Sequence, residues 1–371
     1  MPIPDDSTLL PWMDDSWAST ASRVLNPMGE KTDILVVGGG PGGLACATLL
    51  AQQGARVVLA ERKPVIGSKV CAGGITWNGL IKHVPTHLVE RRFPEQVIVT
   101  RRQRAVVIET NPIVATINRE RLGRWMADQA EAAGVTLLTG TRVAGLESNR
   151  ATLERPEGQR LHMEFTHLVG ADGSNSLVRR FLGLPTTALG IGLNCMLPGH
   201  YPRMEWHLDT ELFGSGYGWI FPHSTEASIG AYGDARSMSA RLLQLRFIRW
   251  AEQQGFQLER HAIRAGLVNF DYRGLRFDRT WLVGDAAGLA SGLTGEGIYP
   301  ALVSGQAVAR MILDPDYSGN EMSVLAKKHR RHSRVVALAG KSSRLCGVLM
   351  EAMVTLLRMK VIDFHSLEMA E

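Results

Sequence analysis

Residues 33–61 read DILVVGGGPGGLACATLLAQQGARVVLAE, a pattern that predicts a strand, a tight turn, a helix and a second strand. The apolar run that ends at Val37 is typical of a strand buried on both faces. In the turn, Gly38, Gly40 and Gly43 have the G-x-G-x-x-G spacing. The first glycine permits the turn, the second lets the main chain approach a pyrophosphate, and the third lets the helix pack on the strand. The stretch therefore predicts a binding site for a dinucleotide.

The helix and the second strand of this stretch support the same prediction. A helix that begins near Gly42 would direct its amides and the positive end of its dipole at the pyrophosphate. Glu61 follows the second strand, 18 residues after Gly43, where a carboxylate can accept hydrogen bonds from both hydroxyls of an adenine ribose. Because this carboxylate would repel a 2′-phosphate, the sequence favours a dinucleotide that lacks one, although the adjacent Arg62 and Lys63 weaken that inference.

The composition is that of an ordinary globular protein. The chain has 371 residues, of which 45% are hydrophobic, and this length allows two closely joined domains. A formal charge of +5 suits an anionic cofactor or a membrane surface. We expect no nucleic-acid partner, since no motif interleaves basic and aromatic residues. The four cysteines lack C-x-x-C spacing, so we expect neither a metal site nor a disulfide framework, and a reducing cytoplasm is the simplest setting.

The first thirty residues are expected to form a poorly ordered lead-in. They contain four aspartates and no long apolar run, which does not resemble a secretory signal, and Met28 is a candidate start. No stretch of the chain reaches the roughly 18 apolar residues of a transmembrane helix. We therefore expect a protein that does not span a bilayer.

A second glycine-rich turn, KVCAGGI at residues 69–75, follows shortly after the strand that ends at Glu61. Its small residues would let a loop lie flat against a planar ring. Cys71 is then either a redox-active or proton-donating thiol beside that ring, or only a small residue in a tight loop.

Two later strands each end in an aspartate beside a glycine, as expected where ligands bind at the carboxyl edge of an open α/β sheet. Asp172 lies in VGADGSNSLVRR, and Asp285 lies in TWLVGDAAGLASGLTGEGIYPAL. Asp285 could accept hydrogen bonds from a ribityl chain. The amides of a helix that begins near Ile298 would stabilise negative charge on a reduced flavin. Arg119, at the start of a predicted helix, is either a contact to the dinucleotide or a surface arginine.

An aromatic segment, YGWIFP at residues 217–222, predicts a strand. We expect two of its rings, those of Tyr217 and Trp219, on one face and Phe221 on the other. This pattern indicates either ordinary core packing or an apolar wall for a large hydrophobic substrate.

The chain from about Met322 onward is predicted to be helical and basic. Between Lys327 and Lys360 it carries nine lysines and arginines but only one acid, Glu351, while the segment 345–357 is nearly all apolar. The pattern is typical either of a helix that lies on anionic lipid or of a helix packed on the body of the protein.

Taken together, these blocks resemble the geranylgeranyl reductase family of flavoproteins, which shares the para-hydroxybenzoate hydroxylase fold. The resemblance covers residues 33–312 and is most specific in CAGG at 71–74, YGWIFP at 217–222 and TGEGIY at 294–299. It implies an α/β fold in which a Rossmann-like FAD-binding domain is interleaved with an antiparallel-sheet substrate domain and followed by C-terminal helices. The predicted boundaries are 1–30 for the lead-in, 31–83, 118–182 and 275–315 for the FAD-binding domain, 84–117 and 183–274 for the substrate domain, and 316–371 for the helical region.

The resemblance also implies noncovalent FAD and the saturation of carbon–carbon double bonds in a long isoprenoid. Cys71 and Tyr217 are then candidate proton donors, with water as a third. The implied substrate contacts are Tyr217, Trp219, Phe221 and Pro222. The implied cofactor contacts are Gly38, Gly40, Pro41, Gly42, Gly43, Glu61, Arg62, Cys71, Ala72, Gly73, Arg119, Val143, Asp172, Gly284, Asp285, Gly295, Glu296, Gly297 and Ile298.

Several alternatives stay open at this stage. The electron donor is either NAD(P)H or a ferredoxin-like redox partner, since no separate nicotinamide domain is visible. The same blocks would serve an FAD-dependent monooxygenase of an apolar or aromatic substrate, or a membrane-associated flavoprotein that carries electrons without turning over a small molecule. Ser291 and Gly292 stand where relatives often have asparagine and proline, which leaves the substrate open.

Overall fold

The structure, a computed structural model, describes residues 30–156 and 158–370. Most of the predicted lead-in lies outside these residues. The strands are, in chain order, β1 (Glu30–Val37), β2 (Val57–Ala60), β3 (Gly74–Thr76), β4 (Val89–Phe93), β5 (Glu95–Thr100), β6 (Arg104–Ile108), β7 (Val114–Ile117), β8 (Thr136–Leu138), β9 (Arg142–Leu146), β10 (Arg150–Glu154), β11 (Arg160–Gly170), β12 (Leu189–Pro198), β13 (Glu205–Leu208), β14 (Tyr217–Pro222), β15 (Glu226–Asp234), β16 (Arg264–Asn269), β17 (Arg276–Phe277) and β18 (Thr280–Leu282).

The α-helices are, in chain order, α1 (Pro41–Gln52), α2 (Trp77–Ile81), α3 (Arg119–Ala132), α4 (Leu177–Phe181), α5 (Thr210–Phe213), α6 (Ala240–Gln253), α7 (Gly284–Ala287), α8 (Ile298–Leu313), α9 (Asn320–Ala339) and α10 (Ser343–Arg358). A 3₁₀ turn, Phe364–Leu367, follows them. No helix in the described part of the chain is both long enough and apolar enough to cross a membrane.

The first sheet forms the floor of a Rossmann-like half. Its strand order is β17-β18-β11-β1-β2-β8, and β1 pairs in parallel with both β2 and β11. Leu35 and Val36 in the middle of β1 are fully buried, as a strand covered on both faces requires. The carboxyl ends of β1, β11 and β18 lie side by side, which brings the turns that follow them to one edge of the sheet.

Helices α1 and α8 cross in close contact at two glycines. A Cβ on Gly42 would lie 2.9 Å from the carbonyl oxygen of Ala301, and a Cβ on Gly305 would overlap the main chain of Gly42. Without side chains at the crossing, both helices can approach the same edge of the sheet. Their N-termini therefore point into one space.

The second and third sheets build the other half. The second runs in the order β16-β12-β15-β14-β13-β5-β6 and is antiparallel except where β13 pairs with β5. The third contains β3, β7 and β4. Of the segment 84–117, β5 and β6 join the large sheet while β4 and β7 join β3 in the small one.

The expected separation of the three aromatic rings of β14 is wrong. Tyr217, Trp219 and Phe221 all point to the same side, and the ring centroids of consecutive members are each 6.0 Å apart. The reason is the two-residue period of a strand, which places every second side chain on one face. The opposite face carries Ile220, which packs in a separate core with Leu243.

The basic C-terminal helices pack on the body of the protein. Helix α9 contacts α8, and α10 contacts β5 and β6. Cys346, Val354 and Leu357 of α10 are buried. The apolar side of α10 therefore faces protein along much of its length.

Candidate functional site

A cavity of about 1220 Å³ begins at the turn after β1 and extends to the aromatic face of β14. We call it the main cavity. One end is lined by the glycine turn 38–40, the middle by the loops 69–72 and 293–298, and the far end by rings from β13 and β14 and by side chains of α10. The cavity thus joins the predicted nucleotide site to the predicted substrate wall.

The three turn glycines differ in the space around them, in the way that their predicted roles require. Gly38 has φ = 107°, which favours glycine, and a Cβ there would clash with the main chain of Ala171. A Cβ on Gly43 would overlap the carbonyl of Gly38. Gly40 has open space instead, with the nearest atom to a Cβ 3.8 Å away, and it faces the main cavity. The turn is therefore tightly packed at Gly38 and Gly43 and open at Gly40, on the side that faces the cavity.

Glu61 lies at the cavity wall beside this turn. Its Oε2 accepts a hydrogen bond from the main-chain amide of Gly39 at 2.7 Å, and its Oε1 accepts one from the amide of Lys63 at 2.9 Å. Arg62 and Val143 line the same end of the cavity. The main chain therefore fixes the carboxylate in the position that suits a ribose.

Arg119 is a half-buried cation that forms no ion pair with another described residue. It opens α3, where the Asn118 side chain caps the helix by accepting bonds from two main-chain amides at 3.0 Å. The guanidinium lines the main cavity, and its buried Nη1 has no hydrogen-bond partner among the described residues. Burial lowers the pKa of Arg119, although the charges of Cys71 and Asp285 oppose this. An unsatisfied buried cation is costly, so the site is suited to an anionic ligand.

The two predicted aspartates lie on neighbouring turns of the first sheet. Asp172 Oδ2 accepts a bond from the amide of Leu177 at 2.6 Å and so shapes the turn into α4, while burial raises the pKa of Asp172. Asp285 Oδ2 is held by Lys69 Nζ at 2.7 Å and by Ser174 Oγ at 2.9 Å. These contacts place the Asp285 carboxylate in the cavity wall.

A chain of hydrogen bonds connects β14 to the loop that carries Cys71. Trp219 Nε1 donates to Ser228 Oγ at 2.9 Å, Ser228 Oγ donates to Asn194 Oδ1 at 2.7 Å, and Asn194 Nδ2 donates to the Cys71 carbonyl at 3.1 Å. Three adjacent strands of the second sheet thus hold this loop in place. Trp219 and Asn194 also line the cavity, so the same side chains shape the wall and position the loop.

His223 holds the same loop from the other side. Its Nε2 lies 3.1 Å from the carbonyl of Ala72, and its Nδ1 lies 2.5 Å from Glu90 Oε2. Gly73 has φ = 77°, and a Cβ on it would clash with the His223 ring. The glycine of this loop is therefore required both by its conformation and by the close approach of the ring.

Two buried tyrosines fix the turn before α8. Tyr217 Oη donates to the carbonyl of Thr294 at 2.5 Å, and Tyr232 Oη donates to that of Gly292 at 3.2 Å. Burial raises the pKa of both hydroxyls. Tyr217 is thus bound to a main-chain acceptor, and this arrangement favours a role in positioning the turn. The proton-donor roles of Cys71 and Tyr217 stay predictions.

Ser291 stabilises the turn before α8 through its own hydroxyl group. Its Oγ accepts bonds from the amides of Leu293 and Thr294 at 3.2 Å and 3.0 Å. The same oxygen lies 2.8 Å from His332 Nδ1 of α9. Burial lowers the pKa of His332 to about 4, so this contact joins a neutral imidazole to a hydroxyl.

The far end of the cavity is aromatic and aliphatic. Trp206 lies edge-on to Phe221 with centroids 4.7 Å apart, and its centroid is 5.3 Å from that of Tyr217 and 5.9 Å from that of Phe364. Helix α10 and the segment that follows it complete this end with Leu349, Met350, Met353, Leu356 and Ile362. The sequence indicated neither Trp206 nor these residues, although the alternation of EWHL at 205–208 is a signal that could have identified Trp206.

The structure brings nearly all the predicted site residues together. Every predicted cofactor contact lines the main cavity except Gly43, which packs behind the turn, and Gly73, which faces His223. Of the predicted substrate contacts only Pro222 is absent from the lining, and its carbonyl accepts a bond from Thr116 at 2.9 Å. The lining residues that the sequence did not indicate also include Lys69, Ser174, Asn194 and Glu368.

The nucleotide end of the cavity fits FAD. The open main chain at Gly40 and the unpartnered Arg119 cation suit a pyrophosphate, and Glu61 suits a ribose. The amides at the start of α8 face the cavity beside Gly297, where they would stabilise negative charge on a reduced flavin.

Comparison with known proteins supports this reading. A family model described as an FAD binding domain matches residues 31–192. Geranylgeranyl diphosphate reductase of Rhodobacter capsulatus is 30% identical over 303 residues, covering 75% of this chain and 74% of that protein. Digeranylgeranylglycerophospholipid reductase 2 of Methanosphaera stadtmanae is 30% identical over 325 residues, covering 79% of this chain and 81% of that protein.

Among solved structures, a geranylgeranyl bacteriochlorophyll reductase-like protein of Thermoplasma acidophilum superposes with a TM-score of 0.77 at 21% identity, covering 91% of this chain and 95% of that one. This likeness confirms the α/β fold with its FAD-binding half. The family model spans the glycine turn, and so supports FAD as the ligand of this part of the chain.

Proposed function

Because the chain belongs to the geranylgeranyl reductase family of FAD-dependent oxidoreductases, we propose that it saturates carbon–carbon double bonds of a long isoprenoid group. The observation that carries the proposal is the continuity of the main cavity from the FAD site to the aromatic wall. A bound chain and the flavin would share one enclosed space. Relatives at 30% identity that are named as reductases of geranylgeranyl compounds support the same assignment.

The far end of the cavity is suited to an apolar chain. Its walls are the rings of Trp206, Tyr217 and Phe221 and the aliphatic side chains of α10. Each methylene that is buried contributes about 0.8 kcal/mol, so a prenyl group can bind strongly without polar contacts. The same walls exclude water from the space in which the double bond would lie.

When bound, reduced FAD supplies the hydride that such a reduction needs. The residues of this chain contribute positioning. The hydrogen-bonded series from Trp219 through Ser228 and Asn194 fixes the Cys71 loop at one side of the cavity, and Tyr217 fixes the turn at Thr294 on another. A displacement of about 1 Å in a positioning loop can slow a reaction about 100-fold. These hydrogen bonds therefore matter for catalysis, although none of them involves a reacting atom.

The mouth of the cavity supports a further proposal, contact with a membrane. Arg331, Val335 and Leu356 line the cavity and are also exposed, so they stand at its rim. Around them Val348, Met359 and Val361 are 63–65% exposed, beside the lysines and arginines of α9 and α10. Apolar side chains among cations suit the surface of an anionic bilayer, from which a prenyl lipid could enter.

The test of the proposed function is anaerobic reduction of the bound flavin followed by addition of geranylgeranyl compounds with different head groups. We expect the flavin to reoxidise and each product to gain two mass units per double bond reduced. Supplying NADPH or reduced ferredoxin in place of dithionite would identify the electron donor. If the flavin stays reduced until oxygen is admitted, an FAD monooxygenase or a membrane-associated electron carrier becomes the better reading.

A pair of tryptophan variants controls this test. Met353→Trp fills the apolar end of the cavity, whereas Leu245→Trp adds the same ring on α6, at a side chain that is 51% exposed and lies outside the cavity lining. We expect Met353→Trp to abolish reoxidation by prenyl substrates with flavin content unchanged, and Leu245→Trp to behave like the unmodified protein. Equal activity of the two variants would contradict the assignment of this end to the substrate.

A further inference from the structure

The segment 363–370 closes the main cavity beside the turn that precedes α8. Its Phe364, Glu368, Met369 and Ala370 are buried. The amide of Met369 donates to Glu296 Oε2 at 2.9 Å, and the carbonyl of Ala370 accepts a hydrogen bond from Lys328 of α9. The segment therefore contributes its own side chains to the cavity wall beside Glu296.

Two carboxyl groups, the half-buried Glu296 and the buried Glu368, line the cavity at this contact. Glu296 Oε1 accepts a bond from Thr76 Oγ1 at 3.0 Å. The Glu368 side chain is 1% exposed, and its buried Oε2 has no hydrogen-bond partner among the described residues. An ionised carboxylate with an unsatisfied buried oxygen is costly, so this site favours a bound proton.

Some of the surrounding groups raise the pKa values of Glu296 and Glu368, and others lower them. Burial is the main cause that raises the pKa of Glu296 to about 7, the carboxyl of Glu368 adds to it, and the Thr76 and Met369 bonds and the Lys328 charge oppose it. Burial also raises the pKa of Glu368, with Asp363 in support and with His365 and Lys328 opposed. Near neutral pH the pair can therefore both hold and release a proton.

His365 connects this pair to solvent. Its side chain is 35% exposed, and its Nδ1 lies 2.9 Å from Glu368 Oε1. The same nitrogen lies 3.1 Å from Asn78 Nδ2 of α2, an amide that can donate to it only while it carries no proton. A proton taken up by His365 from water is thus one hydrogen bond from a buried carboxyl at the cavity wall.

We propose that Glu296 is the acid that protonates the substrate carbon and that Glu368 and His365 resupply its proton from solvent. The proposal rests on the proposed function. In the reduction, one alkene carbon gains the hydride with its two electrons, which reduced FAD gives up as it is oxidised. The other carbon gains the proton of Glu296, which becomes a carboxylate. Glu368 then passes its proton to Glu296, through one intervening water, and takes another from His365.

The alternative donors are less well placed. Tyr217 Oη already donates to the carbonyl of Thr294, and burial and the charges of Cys71 and Glu296 raise its pKa. Cys71 Sγ accepts a bond from the amide of Gly73 at 3.3 Å, and no described carboxyl group or histidine is hydrogen-bonded to this thiol. The Glu296 carboxyl combines a place in the cavity wall with a route for its proton.

The first test needs no substrate. We expect the absorption spectrum of bound oxidised FAD to shift with pH, with a midpoint near the pKa of about 7 of Glu296, because a charge appears beside the flavin. The shift should vanish in Glu296→Gln and move to lower pH in Glu368→Gln, which loses a neighbouring negative charge. A spectrum that titrates identically in the unmodified protein and both variants overturns the proposal.

The second test measures reoxidation of the reduced flavin by a prenyl substrate. We expect Glu296→Gln to slow this step by about 10²–10⁴-fold. Glu368→Gln and His365→Ala should slow it less, shift its pH profile, and in the second case respond to added imidazole. The matched control is Glu351→Gln, because Glu351 bonds Thr100 and Gln103 and does not line the cavity.

The outcomes separate this proposal from the proposed function. If no prenyl compound reoxidises the flavin of the unmodified protein, the proposed function fails, while the spectral titration still tests the acid pair. If the unmodified protein reduces prenyl substrates and Glu296→Gln does so at the same rate, the proposed proton donor is wrong and the function stands.

Discussion

His223 Nδ1 lies 2.5 Å from Glu90 Oε2 in a buried contact between β4 and the end of β14. The other ring nitrogen lies 3.1 Å from the Ala72 carbonyl. Since a carboxylate and a carbonyl both accept, the ring must be an imidazolium to satisfy both. Burial alone would lower the pKa of His223, but the bonds to Glu90 and Ala72 outweigh it and raise the pKa above its usual value.

The first prediction is a stability that depends on this proton. Because the folded pKa of His223 is raised, its contribution is fully present below the unfolded value of about 6.5 and is lost as the pH rises through the folded value. We expect the free energy of unfolding in urea to fall over that window, and His223→Gln to lose about 1–3 kcal/mol and the pH dependence. His261→Gln, at an 84% exposed side chain, is the control. If the free energy of unfolding of His223→Gln falls with pH by the same amount as that of the unmodified protein, other groups cause the pH dependence.

The second prediction concerns Arg119, whose buried Nη1 has no hydrogen-bond partner in the described part of the chain. Arg119→Met should weaken FAD binding by about 10–100-fold, since a hydrogen bond to a charged group is worth about 1.5–3 kcal/mol. The same change should stabilise the FAD-free protein, because it removes a guanidinium whose buried Nη1 lacks a hydrogen-bond partner among the described residues. Flavin fluorescence titration and urea unfolding of the FAD-free protein measure the two effects. Arg121→Met, at an exposed position of the same helix, should change neither. Undiminished FAD affinity in Arg119→Met would contradict the assignment.

The third prediction tests the crossing of α1 and α8. A Cβ on Gly305 would overlap the main chain of Gly42, so Gly305→Ala should destabilise the protein by about 1–3 kcal/mol and release FAD, because both helices begin at its site. Gly347 is also in a helix, and its Cβ would lie 3.7 Å from Thr210 Oγ1, an ordinary contact. Gly347→Ala should therefore gain about 0.5–1 kcal/mol. Thermal unfolding measures both, and a stabilised Gly305→Ala variant would show that the crossing tolerates a methyl group.

The parts of the fold that the sequence predicted are those with local causes. The glycine spacing predicted the turn between β1 and α1, and the predicted helix that begins near Gly42 is observed as Pro41–Gln52. The α/β fold with an FAD-binding half and C-terminal helices is confirmed. Each of these signals lies within about 30 residues, where a periodic pattern or a turn residue specifies structure directly.

The parts that could not be predicted depend on strand register and long-range packing. The series from Trp219 to the Cys71 carbonyl crosses three strands, and no local pattern fixes which side chains of β12 and β15 meet. The amphipathic pattern of α10 was compatible with a membrane or with the body of the protein, because it specifies an apolar face without saying what covers it. The pairing of Glu296 with the amide of Met369 joins positions 73 residues apart.

The last prediction tests contact with a membrane. Lys341, between α9 and α10, and Arg344, in the first turn of α10, are exposed near the exposed Val348. Each basic residue near an anionic bilayer is worth about 1 kcal/mol, so reversing both charges to glutamate should weaken binding to vesicles that contain an anionic phospholipid by tenfold or more, with the loss largest at low salt. Reversing Arg121 and Arg124, exposed on α3, changes the net charge equally. Co-sedimentation with anionic and with zwitterionic vesicles measures the binding of the unmodified protein and of both double variants. An equal loss in both double variants would mean that only net charge matters, and absence of binding by the unmodified protein would reject the contact itself.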